Sequence, residues 1–342
     1  MASNINTMTS IIKILQSFLF PPALPSQPGS PLITNQITYR CDTVSSATHT
    51  LPNGRRLGYA QYGLLTGKPI FYMHGLPGSR MEAAIFDDTA KEVGARIIAM
   101  ERPGCGLSDP DPGWTIRGLP RDVDSLAASL GVSEFGALGL SGGGPAVLAC
   151  ASYFPKERLK CASLVSALGP PDIGYSGVPW LQRLGLAIGY PYFPGLTAWW
   201  FKQQPTGRLD SSEEDRLALL VKLCKENTKH PKDLPIFLNE RFSKLQIVSA
   251  QAAFAQGVHH AVHDGTLSCT PWGFKIEDIR EDLPVQIWCG TDDVSVPFNH
   301  GVQMKNKLKG KDVVLMVREG ETHTSMEVNF MKEYLEGIVK YL

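Results

Sequence analysis

The chain carries no net charge, since 33 Lys and Arg offset 33 Asp and Glu. It also lacks a long basic run. Nucleic acid is therefore not the expected partner, and a small, largely uncharged molecule is. Disulfide and zinc patterns are missing as well. The seven cysteines are odd in number and include no C-x-x-C pair. That argues against a disulfide framework or a zinc site and for buried thiols in a reducing, cytoplasmic setting. Long apolar runs are equally scarce. The best candidate, Leu184–Phe201, is interrupted by Pro191, Pro194 and several glycines and reads as loop and short helix rather than a membrane span. The N-terminus has no basic stretch ahead of its apolar residues, so a secretory signal is not indicated. No G-K-[ST] phosphate loop follows any glycine cluster, and no internal repeat is found.

What remains is a globular composition, 43% apolar and 19% charged, in a chain long enough for one large domain with an insertion. Near the start, Ile11, Ile12, Leu15, Phe18 and Leu19 fall on one helical face. This amphipathic helix packs on the body or makes peripheral contact with a membrane surface. Residues 21–36 are rich in Pro, Ser and Gln and read as an extended tether, so residues 1–48 form an N-terminal extension. The ordered body is expected to begin near His49, with a hairpin turning at Asn53-Gly54.

Strand-like and helix-like segments then alternate. "PIFYMHG", "ARIIAME", "EFGALGL" and "CASLVSALG" are apolar throughout, and helical stretches separate them. Such spacing predicts an α/β fold: a mostly parallel central sheet with helices on both faces. After Pro170-Pro171 the rhythm stops. Residues 171–283 show no clear strand but do show helical stretches such as "SSEEDRLALLVKLCKEN". Strands return at "PVQIWCG" and "DVVLMVRE", and "TSMEVNFMKEYLEGIVKYL" reads as one closing amphipathic helix. The expected organisation is a core of residues 49–170 and 284–342 with a helical cap at 171–283.

The chemistry concentrates at strand ends. Gly139-Leu140-Ser141-Gly142-Gly143 fits G-x-S-x-G between a strand and a helix. In that setting a sharp turn exposes a serine hydroxyl above the sheet edge, at a helix N-terminus. A nucleophilic serine needs a base, and the base needs an acid to orient it. Asp292 and Asp293 follow the strand "PVQIWC", and His323 follows "DVVLMVRE". The order Ser, Asp, His and the strand-end positions make Ser141, His323 and one of the two aspartates the candidate catalytic residues. The backbone N–H of Gly142 and that of Leu76, in "HGLPGSR" after an earlier strand, are the candidate oxyanion donors. His259 and His263 stand at i and i+4 but lack a third ligand, so a plain helix surface is the preferred reading.

The motifs "HGLPGSR", "ERPGCGLSD", "GLSGGGP", "GTDDVSVP" and "GETH" together resemble the α/β-hydrolase superfamily over residues 49–170 and 284–342. The resemblance implies that the acid is the aspartate four residues before the loop proline. That selects Asp293, four before Pro297, over Asp292. It gives Glu101 and Arg102 supporting roles, with Glu101 standing where relatives usually have aspartate. It also implies that epoxide hydrolases and haloalkane dehalogenases, which place an aspartate at the position of Ser141, use a different chemistry. No cofactor is implied.

The expected reaction is acyl transfer to water from an ester, lactone, thioester or C–C bond beside a carbonyl, on a medium-sized, mostly apolar molecule. Two alternatives stay open: reuse of the triad in a biosynthetic acyl-transfer, cyclisation, retro-aldol or decarboxylation step, and a non-enzymatic small-ligand receptor. The segment after Pro170 resembles the helical cap of the superfamily. Its aromatic run, with Tyr192, Trp199 and Trp200, either lines the substrate pocket or packs cap onto core.

Overall fold

The computed structural model describes Tyr39, Arg40 and residues 45–342 apart from Lys229. The expected N-terminal helix and Pro-rich tether lie outside the described residues. Eight strands form one sheet in the order β1-β2-β4-β3-β5-β6-β7-β8. They are β1 Ser46–Thr50, β2 Arg56–Gly63, β3 Lys68–Met73, β4 Ala95–Met100, β5 Phe135–Leu140, β6 Leu159–Val165, β7 Val285–Gly290 and β8 Val313–Arg318. The hairpin at Asn53-Gly54 joins β1 to β2, and β2 runs antiparallel to both of its neighbours. All remaining pairings are parallel. The sheet begins a few residues before His49, because β1 reaches back to Ser46 to pair with Ala60.

Strand composition explains the layering. Every residue of β5 and of β7 is buried, as central parallel strands between two helical layers must be. Along β3 the side chains alternate between faces. Phe71 and Met73 join one apolar cluster with Phe135, Val147 and Ile287. Ile70 and Tyr72 join the other with Phe86, Trp288 and Tyr334. This period of two is the pleat itself. The Gly144–Tyr153 helix is buried on all sides from Gly144 to Ala151, which its unbroken apolar sequence allows.

The closing segment differs from expectation. Two helices, His323–Asn329 and Met331–Val339, replace the single one. Phe330 leaves helical geometry between them, at φ −115°, ψ 18°, and its ring packs beneath the Arg318 guanidinium at 5.1 Å. The break lets each helix serve a different purpose. The first opens on His323, and the second buries Tyr334, Leu335 and Ile338 against the sheet.

Between β6 and β7 no described residue forms a strand. The longer helices of this cap are Pro194–Gln203, Glu213–Asn227, Glu240–Ala253 and His259–Ser268. Ser212 caps the second of them by accepting a bond from the Asp215 N–H. The cap's own apolar cluster is small and borrows Cys105 from the core. Among the described residues no helix is long and apolar enough to cross a membrane.

Polar groups therefore hold much of the seam between cap and core. Gln256 Nε2 donates to the carbonyls of Gly106 and Ser108, both at 2.8 Å. The main tie is Arg102. Its Nε donates to Asp264 Oδ2 of the cap at 2.6 Å, and its two terminal nitrogens donate to the carbonyls of His74 and Gly75 at 2.8 and 2.7 Å. Both side chains are buried. Removing one member of such a pair leaves an uncompensated buried charge. Asp264→Ala is expected to lower stability by about 3–5 kcal/mol, read as a lower urea midpoint at unchanged slope. An unchanged midpoint would mean that the two remaining side-chain contacts of Arg102, to the His74 and Gly75 carbonyls, suffice.

Candidate active site

Ser141 sits at the corner where β5 ends and the Gly144–Tyr153 helix is about to begin. Its φ of 51° lies in the left-handed region, which a residue with a Cβ rarely occupies. The corner is too tight for side chains on its neighbours. A Cβ on Gly143 would lie 2.1 Å from the carbonyl oxygen of Met73, on the adjacent strand. The Ser141 carbonyl is held by the Leu168 N–H at 2.9 Å. What remains free is the hydroxyl, which makes no hydrogen bond among the described residues.

The loop after β3 lies directly opposite. A Cβ on Gly142 would sit 2.7 Å from Leu76 Cβ and 3.1 Å from Leu76 N, so the two expected oxyanion residues face each other across a gap that only glycine leaves open. Three side chains fix this loop. Arg102 holds the His74 and Gly75 carbonyls. Glu82 accepts from the Gly75 N–H at 3.0 Å and from the Tyr72 hydroxyl. His74 bonds the Gly75 carbonyl through Nδ1 at 2.9 Å. Burial, with Arg102 nearby, keeps His74 well below the usual imidazole pKa and therefore neutral, so it supports the loop. Glu101 also has a structural position, paired with Arg80 at 2.6 Å and accepting from the Leu107 N–H at 2.8 Å.

The two aspartates after β7 part company. Asp292 is exposed and bonds Thr291 and, at 3.3 Å, His230. Asp293 is buried, and its Oδ1 accepts from the N–H groups of Ser295 and Val296, both at 2.8 Å. Its Oδ2 meets His323 Nδ1 at 2.8 Å. The ring is placed by a reciprocal cap. Thr322 Oγ1 accepts from Ser325 N–H at 3.1 Å, and Ser325 Oγ accepts from Thr322 N–H at 2.8 Å. His323 is thus fixed in the first helical turn. Because β5, β7 and β8 are parallel, Ser141, Asp293 and His323 all emerge at one edge of the sheet.

Two carboxylates that the sequence analysis did not single out complete the surroundings. Glu327 Oε1 lies 3.4 Å from His323 Nε2, one helical turn on. Glu82 stands beside Ser141: the point a Cβ on Gly75 would occupy is 3.6 Å from both Glu82 oxygens and 3.7 Å from Ser141 Cβ. Burial works against a charge on His323, but Asp293 and Glu327 outweigh it and raise its pKa to about 9. Burial lifts Glu327 to about 7, with Glu82 and Asp293 adding repulsion and His323 opposing. Glu82 is also raised by burial, against the bonds from Tyr72 and Gly75. The i+4 spacing of Glu327 from His323 was a readable signal. Glu82 had none beyond its place just after the oxyanion loop.

The aromatic run of the cap divides. Tyr192 is 73% exposed and Trp199 is also solvent-facing. Trp200 packs edge-on to Phe201, with ring centroids 5.2 Å apart, in the cluster that also receives Leu76 of the oxyanion loop. Trp114, Ile116, Leu119 and Pro145 wall a narrow, mostly apolar recess beside Gly142, which Asp264 closes from the cap. His263 packs against Trp114, with centroids 5.9 Å apart.

Comparison with known proteins agrees with this architecture. The family model of the alpha/beta hydrolase fold matches residues 68–323. A proline iminopeptidase of Lactobacillus delbrueckii subsp. bulgaricus is 25% identical over 239 residues, 67% of this chain and 76% of the relative. Among solved structures, the esterase RhEst1 from Rhodococcus sp. ECU1013 superposes with a TM-score of 0.57 at 18% identity, covering 87% of this chain and 100% of that one. The epoxide hydrolase CorEH does so with a TM-score of 0.60 at 18% identity, covering 86% and 98%. At such identities the two structures speak for the fold alone. The family match spans most of the chain and takes in the serine corner, the acid loop and the histidine, and on that ground the chain belongs to the alpha/beta hydrolase fold family.

Proposed function

We propose that the chain is a cofactor-independent serine hydrolase that works through an acyl-enzyme. Its substrate is an ester, lactone, thioester or C–C bond beside a carbonyl in a medium-sized, mostly apolar molecule. The observation that carries this reading is the 2.8 Å bond between Asp293 and His323 Nδ1 at the sheet edge that presents Ser141. A carboxylate on Nδ1 selects the tautomer whose Nε2 can take a proton. His323 Nε2 then removes the Ser141 proton as Oγ attacks the carbonyl carbon. The Leu76 and Gly142 N–H groups bind the oxyanion, helped by the helix N-terminus behind Ser141. His323 returns the proton to the leaving group, and water repeats the sequence on the acyl-enzyme.

A second reading is an aminopeptidase. The name of the 25% identical relative favours it, as do Glu82 and Glu327, whose carboxylates would offset a substrate ammonium near His323. Release of an aryl amine from an N-terminal prolyl anilide, compared with release of an aryl alcohol from neutral esters, separates the two readings.

Ser141→Ala is expected to abolish labelling by a fluorophosphonate probe while leaving the circular dichroism spectrum unchanged. Labelling at the wild-type rate would place the nucleophile elsewhere. For the acid, Asp293→Asn is expected to lower kcat/KM by up to ~10⁴-fold, the effect of losing the tautomer-holding carboxylate in a serine protease. Asp292→Asn, at an exposed position, should cost less than about tenfold. Steady-state kinetics on one ester with both variants checks this, and an equal loss in the two would overturn the assignment.

A further inference from the structure

His323 presents both ring nitrogens to carboxylates. Nδ1 bonds Asp293 at 2.8 Å, and Nε2 lies 3.4 Å from Glu327 Oε1. Nε2 is the nitrogen that would receive the serine proton, yet it is paired with an acid while the Ser141 hydroxyl makes no hydrogen bond among the described residues. Glu327 rides on the same helix as the ring, four residues on, so its carboxylate is carried to this position by the backbone. Both side chains are mostly buried, at 19% and 21% exposure, so water screens the pair only weakly.

We propose that Glu327 is a positioning residue that parks His323 as an imidazolium turned away from Ser141. The proposal rests on the role of His323 as the base. An ionised carboxylate only accepts hydrogen bonds, so the parked geometry requires a proton on Nε2. When that proton leaves to solvent, the Nε2 lone pair and the carboxylate oxygens become two acceptors facing each other. Their repulsion opens the pair, and the Ser141 hydroxyl is the nearby donor the ring can then turn to. The Nδ1 proton stays on its bond to Asp293 throughout.

The groups around the ring favour the parked state. Asp293 faces it from the loop after β7, Glu82 from the segment after the oxyanion loop, and Asp233 from the cap, where it accepts from the Thr322 hydroxyl. Tyr72 and Tyr334 back the glutamates from β3 and from the last helix, and both are held well above the usual phenol range by burial. Two cations stand in these surroundings, and both are engaged by acids: Arg102 by Asp264, and Lys232 of the insertion by Glu321. The surroundings are thus rich in acid, and His323 stays charged up to about pH 9. The sign follows directly: below that pH the base is occupied, and acylation should rise as pH rises through it. Removing the Glu327 charge removes one of the acids that hold the proton on, so the rising limb should move to lower pH.

The test is the pH dependence of the rate at which a fluorophosphonate labels Ser141 in the full chain. For the wild type, a rising limb with its midpoint above about pH 8 is expected, against ~6.5 for an ordinary imidazole. For Glu327→Gln the midpoint should fall by about one pH unit or more. Between about pH 7 and 9, where Glu327 is ionised and His323 still charged, labelling of the variant should be up to roughly tenfold faster, since one unit is a factor of ten in neutral imidazole. A residue that merely supports the fold would slow labelling at every pH and leave the midpoint in place. A wild-type limb near 6.5, or a midpoint unmoved in Glu327→Gln, overturns the proposal. If the variant does not fold, the wild-type limb decides. If Ser141 is not labelled at any pH, the proposed function fails separately. The His323 titration followed by ¹⁵N NMR then decides this inference, a midpoint above about 8 supporting it and one near 6.5 overturning it.

Discussion

The left-handed backbone of Ser141 is the constraint on which the rest of the site depends. A side chain at φ 51° costs free energy, on the order of 1–3 kcal/mol at such positions. The fold over-determines it. β5 delivers the chain between two parallel neighbours, and the buried Gly144–Tyr153 helix carries it away again. Met73 leaves no room for a side chain on Gly143, and Leu168 fixes the Ser141 carbonyl. The hydroxyl is left with nothing to do but face the opening. A residue held in an unfavourable conformation by an apolar sheet–helix corner is preorganised before any substrate arrives.

The charge distribution around that corner is uneven. On the histidine side two carboxylates, from Asp293 and Glu327, flank one imidazole. On the oxyanion side a single guanidinium, Arg102, grips two backbone carbonyls and one cap carboxylate. Glu82 takes the Gly75 N–H of that loop, while the Leu76 N–H makes no hydrogen bond among the described residues.

Much of this was legible in the sequence because it follows from local rules. Buried parallel strands read as apolar runs, and the elbow reads as glycines around one serine between a strand and a helix. The choice of Asp293 over Asp292 came from the family resemblance rather than from a local rule; of the two, Asp293 is the buried one and meets His323, while Asp292 is exposed. The parts that escaped depend on direction or on distance along the chain. Arg102 and Asp264 are 162 residues apart and carry no common pattern. Glu82 lies in a short helical turn, Arg80–Phe86, too brief for periodicity to say which way a side chain points. Tyr192 and Trp199 sit among prolines and glycines that erase the helical period, so their outward orientation had no sequence signal. The closing helix read as one because its apolar spacing continues across Phe330, whose ring at the break packs on Arg318 at the end of β8, a contact no local pattern predicts.

The tie between Arg102 and Asp264 bears on how such a molecule can change over evolutionary time. Inserted helical segments look like exchangeable modules, free to diverge while the sheet keeps the chemistry. Here the loop that carries Leu76 is anchored through a core arginine to an acid in the insertion, so the two parts do not drift independently. A recombined or grafted segment has to bring its own carboxylate to the position of Asp264. Without one, the arginine is left desolvated beneath it and the new segment inherits a slackened loop. Diversity in what the molecule accepts is thereby channelled into the remainder of the insertion, around one position that the core does not release.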